Sequence, residues 1–418
     1  MSQTPRFLTL AALLLPTAGL AAQASDSTAL LGDVRYLADD RLGGRLIGSP
    51  GADSAAGYLA IRFRDVGLRP GPAGWFQEFT VSPHAPMAAT AGISGATGRN
   101  VIGMLPGRDP DLRNQTVIVG AHYDHLGPGR FGAMDPDSAG AIHNGADDNA
   151  SGVSALIGIA RRLAALPPAR TVVFIAFSGE EPGLLGSDFF VKHPLVPLNA
   201  TIAMVNLDMV GRLRNDRLIV YGAATAAEFP ALLDSLNQDA HFDLKASGDG
   251  WGPSDHSSFY GAGKPVLHAF TDLHDDYHRS TDDWQKINAG GLERVTEFTA
   301  RLVRALADRR TPLTFVNVPP PTPVAGGDGY GTYLGTIPDM ADNPGGVRIN
   351  GVRAGSPAER AGLQAQDILL RIGDAEVADL QSMTNALRQH RPGDVVEVRF
   401  LRNGAEQSAT VTLGERGR

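Results

Sequence analysis

The stretch Thr116–His125 reads TVIVGAHYDH, in which the apolar run Thr116–Ala121 is followed by His122-Tyr123-Asp124-His125. Three further runs are also apolar and rich in β-branched residues, at Thr171–Phe177, Thr201–Leu207 and Pro265–Phe270. Strands that are covered on both faces have this composition. Between the first two runs, Ser151–Leu166 places its apolar residues at helical spacing. This alternation predicts an α/β domain whose mostly parallel central sheet is sandwiched by helices.

Histidines and carboxylates cluster where these predicted strands end and where the helix begins. Each has an ordinary explanation when taken alone, since aspartate caps helices and histidine is common in loops. Adjacent carboxylates repel, however, and cost stability unless something positive lies between them. Sites in parallel sheets gather beyond the carboxyl ends of the strands, so the pattern predicts a metal site there. Its candidate residues are, in chain order, His122, Asp124, Asp147, Asp148, Glu180, Glu181, Asp208 and His278.

The available ligands favour hydrolytic chemistry. The chain has no cysteine, so a metal has to be held by histidine, aspartate and glutamate. Zinc accepts these ligands and keeps a position open for water in catalytic sites. Two metals need a bridging carboxylate, and a further carboxylate must stay unligated to move a proton. In the pair Glu180-Glu181, one neighbour can bind metal while the other faces the water.

Five motifs occur in a fixed order: His-x-Asp, Gly-Ala-Asp-Asp-Asn-Ala-Ser-Gly, Gly-Glu-Glu, Asn-Leu-Asp-Met and Tyr-His-x-Ser-Thr-Asp-Asp. In this order they resemble the aminopeptidase Y-type dinuclear zinc peptidases, which are relatives of glutamate carboxypeptidases and glutaminyl cyclases. The resemblance runs from about Leu30 to Leu306 and includes the opening segment Arg35–Gly51. It implies a zinc exopeptidase-like fold and a metallo-aminopeptidase that hydrolyses N-terminal peptide bonds of peptides or small proteins.

The resemblance also implies a set of ligands for two Zn²⁺ ions. His122 and Asp208 would hold one zinc, and Glu181 and His278 would hold the other. Asp148 would bridge the two ions.

Further residues take supporting roles by the same resemblance. Glu180 would be the general base, and Asp124 would accept the second ring N–H of His122. Asp255, in a Ser-Asp-His segment, would support the site without ligating metal. Trp251 lies near the place where some relatives have a tyrosine that hydrogen-bonds the oxyanion; it could donate its indole N–H or form a pocket wall. Ordinary polar loop positions suffice for His125, His143, His268 and His274.

The N-terminus has the pattern of an export signal. Arg6 precedes the apolar run Phe7–Leu15, and a small-residue segment ends at Ala22-Gln23-Ala24. The apolar run is well short of the ~20 residues that span a bilayer. We therefore expect residues 1–24 to be a signal peptide of a periplasmic or extracellular protein, and no other stretch is typical of a transmembrane segment.

A second domain follows the stretch Val318–Pro323, whose prolines predict a stiff spacer. Residues 331–413 resemble a PDZ domain, a small β-rich fold. The expected bounds are 25–312 for the peptidase domain, 313–328 for the linker and 329–416 for the PDZ domain. PDZ domains bind a peptide C-terminus by strand addition, and the candidate carboxylate loop is Tyr333, Leu334, Gly335 and Thr336. Alternatively, the domain binds no peptide and only docks on the peptidase.

Other functions stay open at the level of sequence. A glutaminyl cyclase-like acyltransferase would use one zinc on the same scaffold, and a carboxypeptidase would act on acidic dipeptides. A non-catalytic adaptor would use the peptidase fold as a body for the PDZ domain, but all five ligands and the base are in place. The net charge of -8 argues against a nucleic-acid partner.

Overall fold

The computed structural model describes residues 18–415 except 86, 136, 137, 139, 249, 318–331, 339–344, 353, 354 and 379. Most of the predicted signal peptide, residues 1–24, and most of the predicted linker, residues 313–328, therefore lie outside the described residues. Among the described residues, no helix is both long enough and apolar enough to cross a bilayer.

The helices fall into a long N-terminal series and two short C-terminal members. In chain order they are α1 (Ala18–Leu37), α2 (Pro50–Asp65), α3 (Gly152–Ala164), α4 (Leu185–Lys192), α5 (Phe229–Ala240), α6 (His256–Gly261), α7 (Ala289–Asp308), α8 (Pro357–Arg360) and α9 (Leu380–Arg388).

The strands divide in the same way. Those of the large N-terminal sheet are β1 (Arg69–Pro70), β2 (Phe76–Thr80), β3 (Thr97–Leu105), β4 (Thr116–His122), β5 (Thr171–Phe177), β6 (Thr201–Leu207), β7 (Arg217–Tyr221), β8 (Asp243–Ser247) and β9 (Val266–Phe270). Those of the C-terminal part are β10 (Thr332–Tyr333), β11 (Thr336–Pro338), β12 (Val347–Val352), β13 (Ile368–Ile372), β14 (Ala375–Glu376), β15 (Val395–Arg402), β16 (Ala405–Thr412) and β17 (Gly414–Glu415).

The large sheet has the order β1-β3-β5-β4-β6-β9-β7-β8, with β2 beside β3. Its centre is parallel, since β4 pairs in parallel with β5 and β6, and β9 with β6. Antiparallel pairing begins where β3 joins β5 and where β7 joins β9. The α/β fold with a largely parallel centre is confirmed, and its antiparallel strands lie toward the edges.

The register brings the ends of the parallel strands to one edge. Thr116 of β4 pairs with both Thr171 of β5 and Thr201 of β6, and His122 pairs with Phe177. Because these strands start and end level with one another, the residues that follow them emerge side by side.

Both faces of the central strands are buried, as their unbroken apolar sequences predict. Val117 and Val119 belong to the core formed with α1, α2, α3 and α7. Ile118 points to the opposite face, where it packs in a second core with Phe190 of α4 and Phe259 of α6. Alternate residues of a strand point to opposite faces, so this sheet lies between two helical layers.

The C-terminal strands form a separate small antiparallel unit. Strands β11, β12, β13, β15 and β16 lie in this order, and β14 pairs with β13. Their apolar side chains make a core of their own, which includes Leu334, Ile349, Leu369 and Phe400.

Candidate metal centre

The structure brings six of the predicted site residues together at the carboxyl edge of the parallel strands. Each comes from a different segment, except for the adjacent pair Glu180-Glu181. They are His122 at the end of β4, Asp148 in the turn before α3, Glu180 and Glu181 after β5, Asp208 after β6, and His278 in the loop after β9.

Asp148 lies between two histidines and offers one carboxylate oxygen to each. Its Oδ1 is 3.3 Å from Nε2 of His122, and its Oδ2 is 3.1 Å from Nε2 of His278. His122 Nε2 is also 3.4 Å from Oδ1 of Asp208, and His278 Nε2 is 3.2 Å from Oε2 of Glu181. The cluster thus has two halves that share Asp148.

These distances suit zinc. Atoms that lie ~2.0–2.2 Å from a tetrahedral ion are roughly 3.3–3.6 Å from one another, close to the separations between His122, Asp148 and Asp208. Oδ1 of Asp208 is buried without a hydrogen-bond partner among the described residues. A buried carboxylate oxygen without a partner is costly, and a metal ion would satisfy it. The donor set therefore fits zinc.

The two adjacent glutamates have opposite electrostatic environments. Burial, together with the nearby carboxylates of Glu181 and Asp208, raises the pKa of Glu180 well above its usual range. Burial acts to raise the pKa of Glu181, but the imidazoles of His278 and His125 together outweigh it and lower that pKa to about 2. Titratable neighbours whose pKa values are pushed apart are typical of acid–base and ligand roles in one site.

The carboxylates around His122 and His278 favour the charged form of each imidazole. Burial alone would lower the pKa of His278, but Glu181 and Asp148 raise it to about 10. His122 likewise has a raised pKa because Asp208 and Glu180 outweigh its burial. This concentration of negative charge attracts protons or metal ions to the same place.

The structure places Asp124 beside the second ring nitrogen of His122, with its backbone carbonyl group nearer than its carboxylate. Nδ1 of His122 lies 3.2 Å from the backbone carbonyl oxygen of Asp124 and 3.9 Å from its Oδ1. The carboxylate instead accepts the backbone N–H of Glu180 at 3.1 Å. The backbone carbonyl group of Asp124 is thus nearer to the His122 ring than its carboxylate, and the carboxylate contacts the loop after β5. Asp124 thus contacts both His122 and Glu180.

The loop before α6 supports Asp208. The hydroxyl of Ser254 donates to Oδ2 of Asp208 at 2.8 Å, and the amide of Asn206 donates to Ser254 at 2.8 Å. Asp255 is fully buried, and burial raises its pKa to about 7. Trp251 packs edge-on against Tyr260, with ring centroids 5.1 Å apart.

His125 was missed as a site residue by the sequence. Its Nδ1 lies 2.6 Å from Oε1 of Glu181. This separation is that of a strong hydrogen bond and is too short for two ligands of one ion. His125 therefore orients Glu181. Its position three residues after His122 in the same strand-end motif was the available signal.

The other three histidines of this region are buried rather than ordinary loop residues. His143 contacts Asp135 at 2.9 Å, and His274 contacts Asp147 at 3.1 Å. His268 lies in β9 and stacks on His256 with ring centroids 4.4 Å apart. Asp147 lies 127 residues before His274, so no local sequence pattern predicts that contact, whereas the partners of His143 and His268 are nearby along the chain.

Comparison with known proteins assigns both domains. Residues 100–303 match the model of Peptidase family M28, and residues 332–413 match that of the PDZ domain. The chain carries a peptidase family M28 domain. The predicted resemblance is confirmed, and so is the presence of a C-terminal PDZ domain, although the exact bounds of the domains stay a prediction.

Curated relatives of the M28 domain include aminopeptidases. The chain is 29% identical over 236 residues to aminopeptidase YwaD of Bacillus subtilis (strain 168), covering 53% of this chain and 48% of that protein. It spans about half the length of the curated relatives it matches, or somewhat less.

Solved structures share the fold of the M28 domain. A Zn-dependent exopeptidase from Parabacteroides distasonis ATCC 8503 matches with a TM-score of 0.55 at 22% identity, covering 68% of this chain and 97% of that chain. A glutaminyl cyclase from Bacteroides thetaiotaomicron also has a TM-score of 0.55, at 18% identity, covering 66% of this chain and 97% of that chain. At these identities the likeness shows the fold alone.

Proposed function

We propose that the chain is a zinc aminopeptidase with two Zn²⁺ ions in the M28 domain. The observation that carries this proposal is the position of Asp148, whose two oxygens face separate halves of the cluster. His122 and Asp208 would hold one ion, Glu181 and His278 the other, and Asp148 both. Zinc ions in such a site supply Lewis acidity to the scissile carbonyl group and to the attacking water.

Glu180 is the general base of the proposed reaction. It lies beside the His122–Asp208 half of the cluster, with Oε2 3.9 Å from Nε2 of His122. The Asp124 carboxylate fixes its backbone N–H, so its side chain starts from a held position. Glu180 takes one proton from water as the water oxygen bonds to the peptide carbonyl carbon. It returns that proton to the amide nitrogen as the C–N bond breaks.

The preference for the amino terminus of the substrate rests on the curated relative named aminopeptidase YwaD. A glutaminyl cyclase would need one metal, whereas the shared Asp148 favours two.

The PDZ domain is proposed to bind a peptide C-terminus. Strand β11 is one of the two outermost strands of the order β11-β12-β13-β15-β16 among the described residues, which suits strand addition. Leu334 and Gly335 connect β10 to β11, and Gly335 has φ of 86°. A Cβ at Gly335 would lie 2.2 Å from Cβ of Ser356, so this loop closely approaches the turn before α8.

Export of the protein is also proposed, on the signal-like residues 1–24.

Hydrolysis of aminoacyl-anilides tests the main proposal. We expect the protein to release aniline from free-amine substrates, to lose this activity on chelation and to recover it with zinc. Glu180→Gln should retain zinc and lower kcat on the order of 100- to 10,000-fold, the usual contribution of a general base. Glu297→Gln is the matched control, since Glu297 lies exposed on α7 and pairs with Arg162 of α3.

Other outcomes would redirect the assignment. Cleavage of N-acetylated anilides as fast as of free-amine substrates would contradict an aminopeptidase. Cyclisation of N-terminal glutamine without anilide cleavage would assign the acyltransferase. Zinc binding without either reaction would favour the non-catalytic adaptor function.

A further inference from the structure

Arg45 is a fully buried cation that makes hydrogen bonds only to backbone carbonyl groups among the described residues. Its Nε donates to Tyr123 at 2.7 Å, its Nη1 donates to Asn144 at 2.6 Å and to Leu37, and its Nη2 donates to Gly145 at 3.0 Å. Four carbonyl groups are thus held by one side chain.

Three of these carbonyl groups belong to the two segments that carry His122 and Asp148. Tyr123 lies between His122 and Asp124 at the end of β4. Asn144 and Gly145 lead directly into the acidic turn that contains Asp148. Arg45 therefore connects the His122 segment to the Asp148 segment through backbone carbonyl groups.

The charge of Arg45 is balanced at longer range by the acidic cluster. No ion pair within 4.0 Å is found for it in the described part of the chain. The carboxylates of Asp124, Asp148, Asp282 and Glu181 favour its charged form, although burial lowers its pKa to about 10. A buried charge is costly unless such groups compensate it. Position 45 therefore suits a cation only when the carboxylates of the acidic cluster lie nearby.

The segment around Arg45 is fitted closely to the same two loops. A Cβ on Gly44 would lie 2.4 Å from the carbonyl oxygen of His143 and 2.8 Å from Cα of Gly127. Gly44 itself has φ of 71°. The match to the M28 family model begins only at residue 100. The N-terminal segment thus packs onto the centre although it lies outside the matched region.

We infer that Arg45 is a positioning residue of the metal centre, which sets the spacing of His122 and Asp148 through the carbonyl groups of Tyr123 and Asn144-Gly145. This inference rests on the proposed zinc centre. The planar guanidinium has five N–H donors in a fixed fork, whereas lysine has three donors on one nitrogen. A lysine keeps the charge at position 45 but cannot make the hydrogen bonds to Tyr123 and to Asn144-Gly145 at the same time.

The test compares Arg45→Lys and Arg45→Gln with the wild-type protein. Zinc affinity is measured by competition with a chromophoric chelator, and the geometry of the site by the visible absorption of the Co²⁺-loaded protein. We expect both variants to lose zinc affinity about 10- to 100-fold, the usual effect of removing a group that orients ligands. Their Co²⁺ spectra should also change.

Arg170→Lys is the matched control. Arg170 is buried as well and donates to the carbonyl groups of Ala307 and Arg309, with Gln115 as a further partner, at the opposite end of β5. Its substitution should lower the melting temperature but leave zinc affinity and the Co²⁺ spectrum unchanged.

Each other result overturns the inference. Arg45→Lys with wild-type zinc affinity and spectrum would show that charge alone suffices. Equal losses in Arg170→Lys would show that any buried arginine has the effect through general stability. Failure of both Arg45 variants to fold with excess zinc would assign Arg45 to the fold only. Absence of zinc binding by the wild-type protein would instead reject the proposed function.

Discussion

Ser254 contacts Asp208 on the oxygen that does not face His122. Its hydroxyl donates to Oδ2 of Asp208 at 2.8 Å, which leaves Oδ1 turned toward Nε2 of His122. Ser254→Ala removes this donor and frees the carboxylate to rotate. We expect a roughly 10- to 100-fold loss of affinity for one of two zinc ions, so that a zinc titration changes from one phase to two.

Ser54→Ala is the control, because Ser54 is exposed and its hydroxyl bonds only to the carbonyl group of Pro50 in α2. It should titrate like the wild-type protein. An unchanged zinc titration of Ser254→Ala would show that Asp208 is held by other contacts or is not a ligand.

The sequence predicts the candidate ligands but not the residues that contact and orient them. His122 ends β4, Glu181 lies four residues after the end of β5 and Asp208 directly follows β6, so the topology of a parallel sheet suffices to bring them to one edge. Arg45 and Ser254 act through contacts to segments 78 and 46 residues away along the chain. No local pattern encodes such contacts.

At the scale of elements, the turn before α3 is the least regular part of the site. Residues Ala146–Ser151 form a π-helical turn that follows Gly145, and the Asp148–Asn149 peptide bond is cis. Gly145 has φ of 56°, and a Cβ there would lie 2.0 Å from the carbonyl oxygen of Asp148 and 2.4 Å from Cγ of His125. The turn can place Asp148 only if residue 145 has no side chain.

Gly145→Ala should therefore disturb both stability and metal binding. The left-handed conformation costs an L-residue about 1–2 kcal/mol, and the contact with Asp148 adds to this cost. We expect a lower free energy of unfolding by denaturant and a loss of zinc affinity in the same variant.

Gly95→Ala separates the two effects. Gly95 has φ of 77° but no atom within 4 Å of an added Cβ. It should lose stability and keep zinc affinity. Wild-type zinc affinity in Gly145→Ala would contradict the structural role of this turn.

The same turn explains where the element prediction was accurate and where it was not. Strands β5 and β6 have the predicted bounds, because long apolar runs between polar ends leave little choice. Helix α3 was expected from Ser151 but begins at Gly152, after a turn whose shape depends on Asp282. The Oδ2 of Asp282 accepts the backbone N–H groups of Asp147 and Asp148 at 2.8 and 3.1 Å. Such long-range capping is not visible in local sequence.

At the scale of the whole molecule, the two domains have separate hydrophobic cores, and the candidate zinc ligands lie in one of them. Metal removal should therefore destabilise the M28 domain alone. Zinc at 1,000 times its Kd stabilises a domain by about 4 kcal/mol per site, which corresponds to roughly 8–16 °C in Tm for a domain of this size. Calorimetry with and without chelator should show one transition that moves and a PDZ transition that does not. Equal shifts in both transitions, or none, would contradict zinc binding confined to the M28 core.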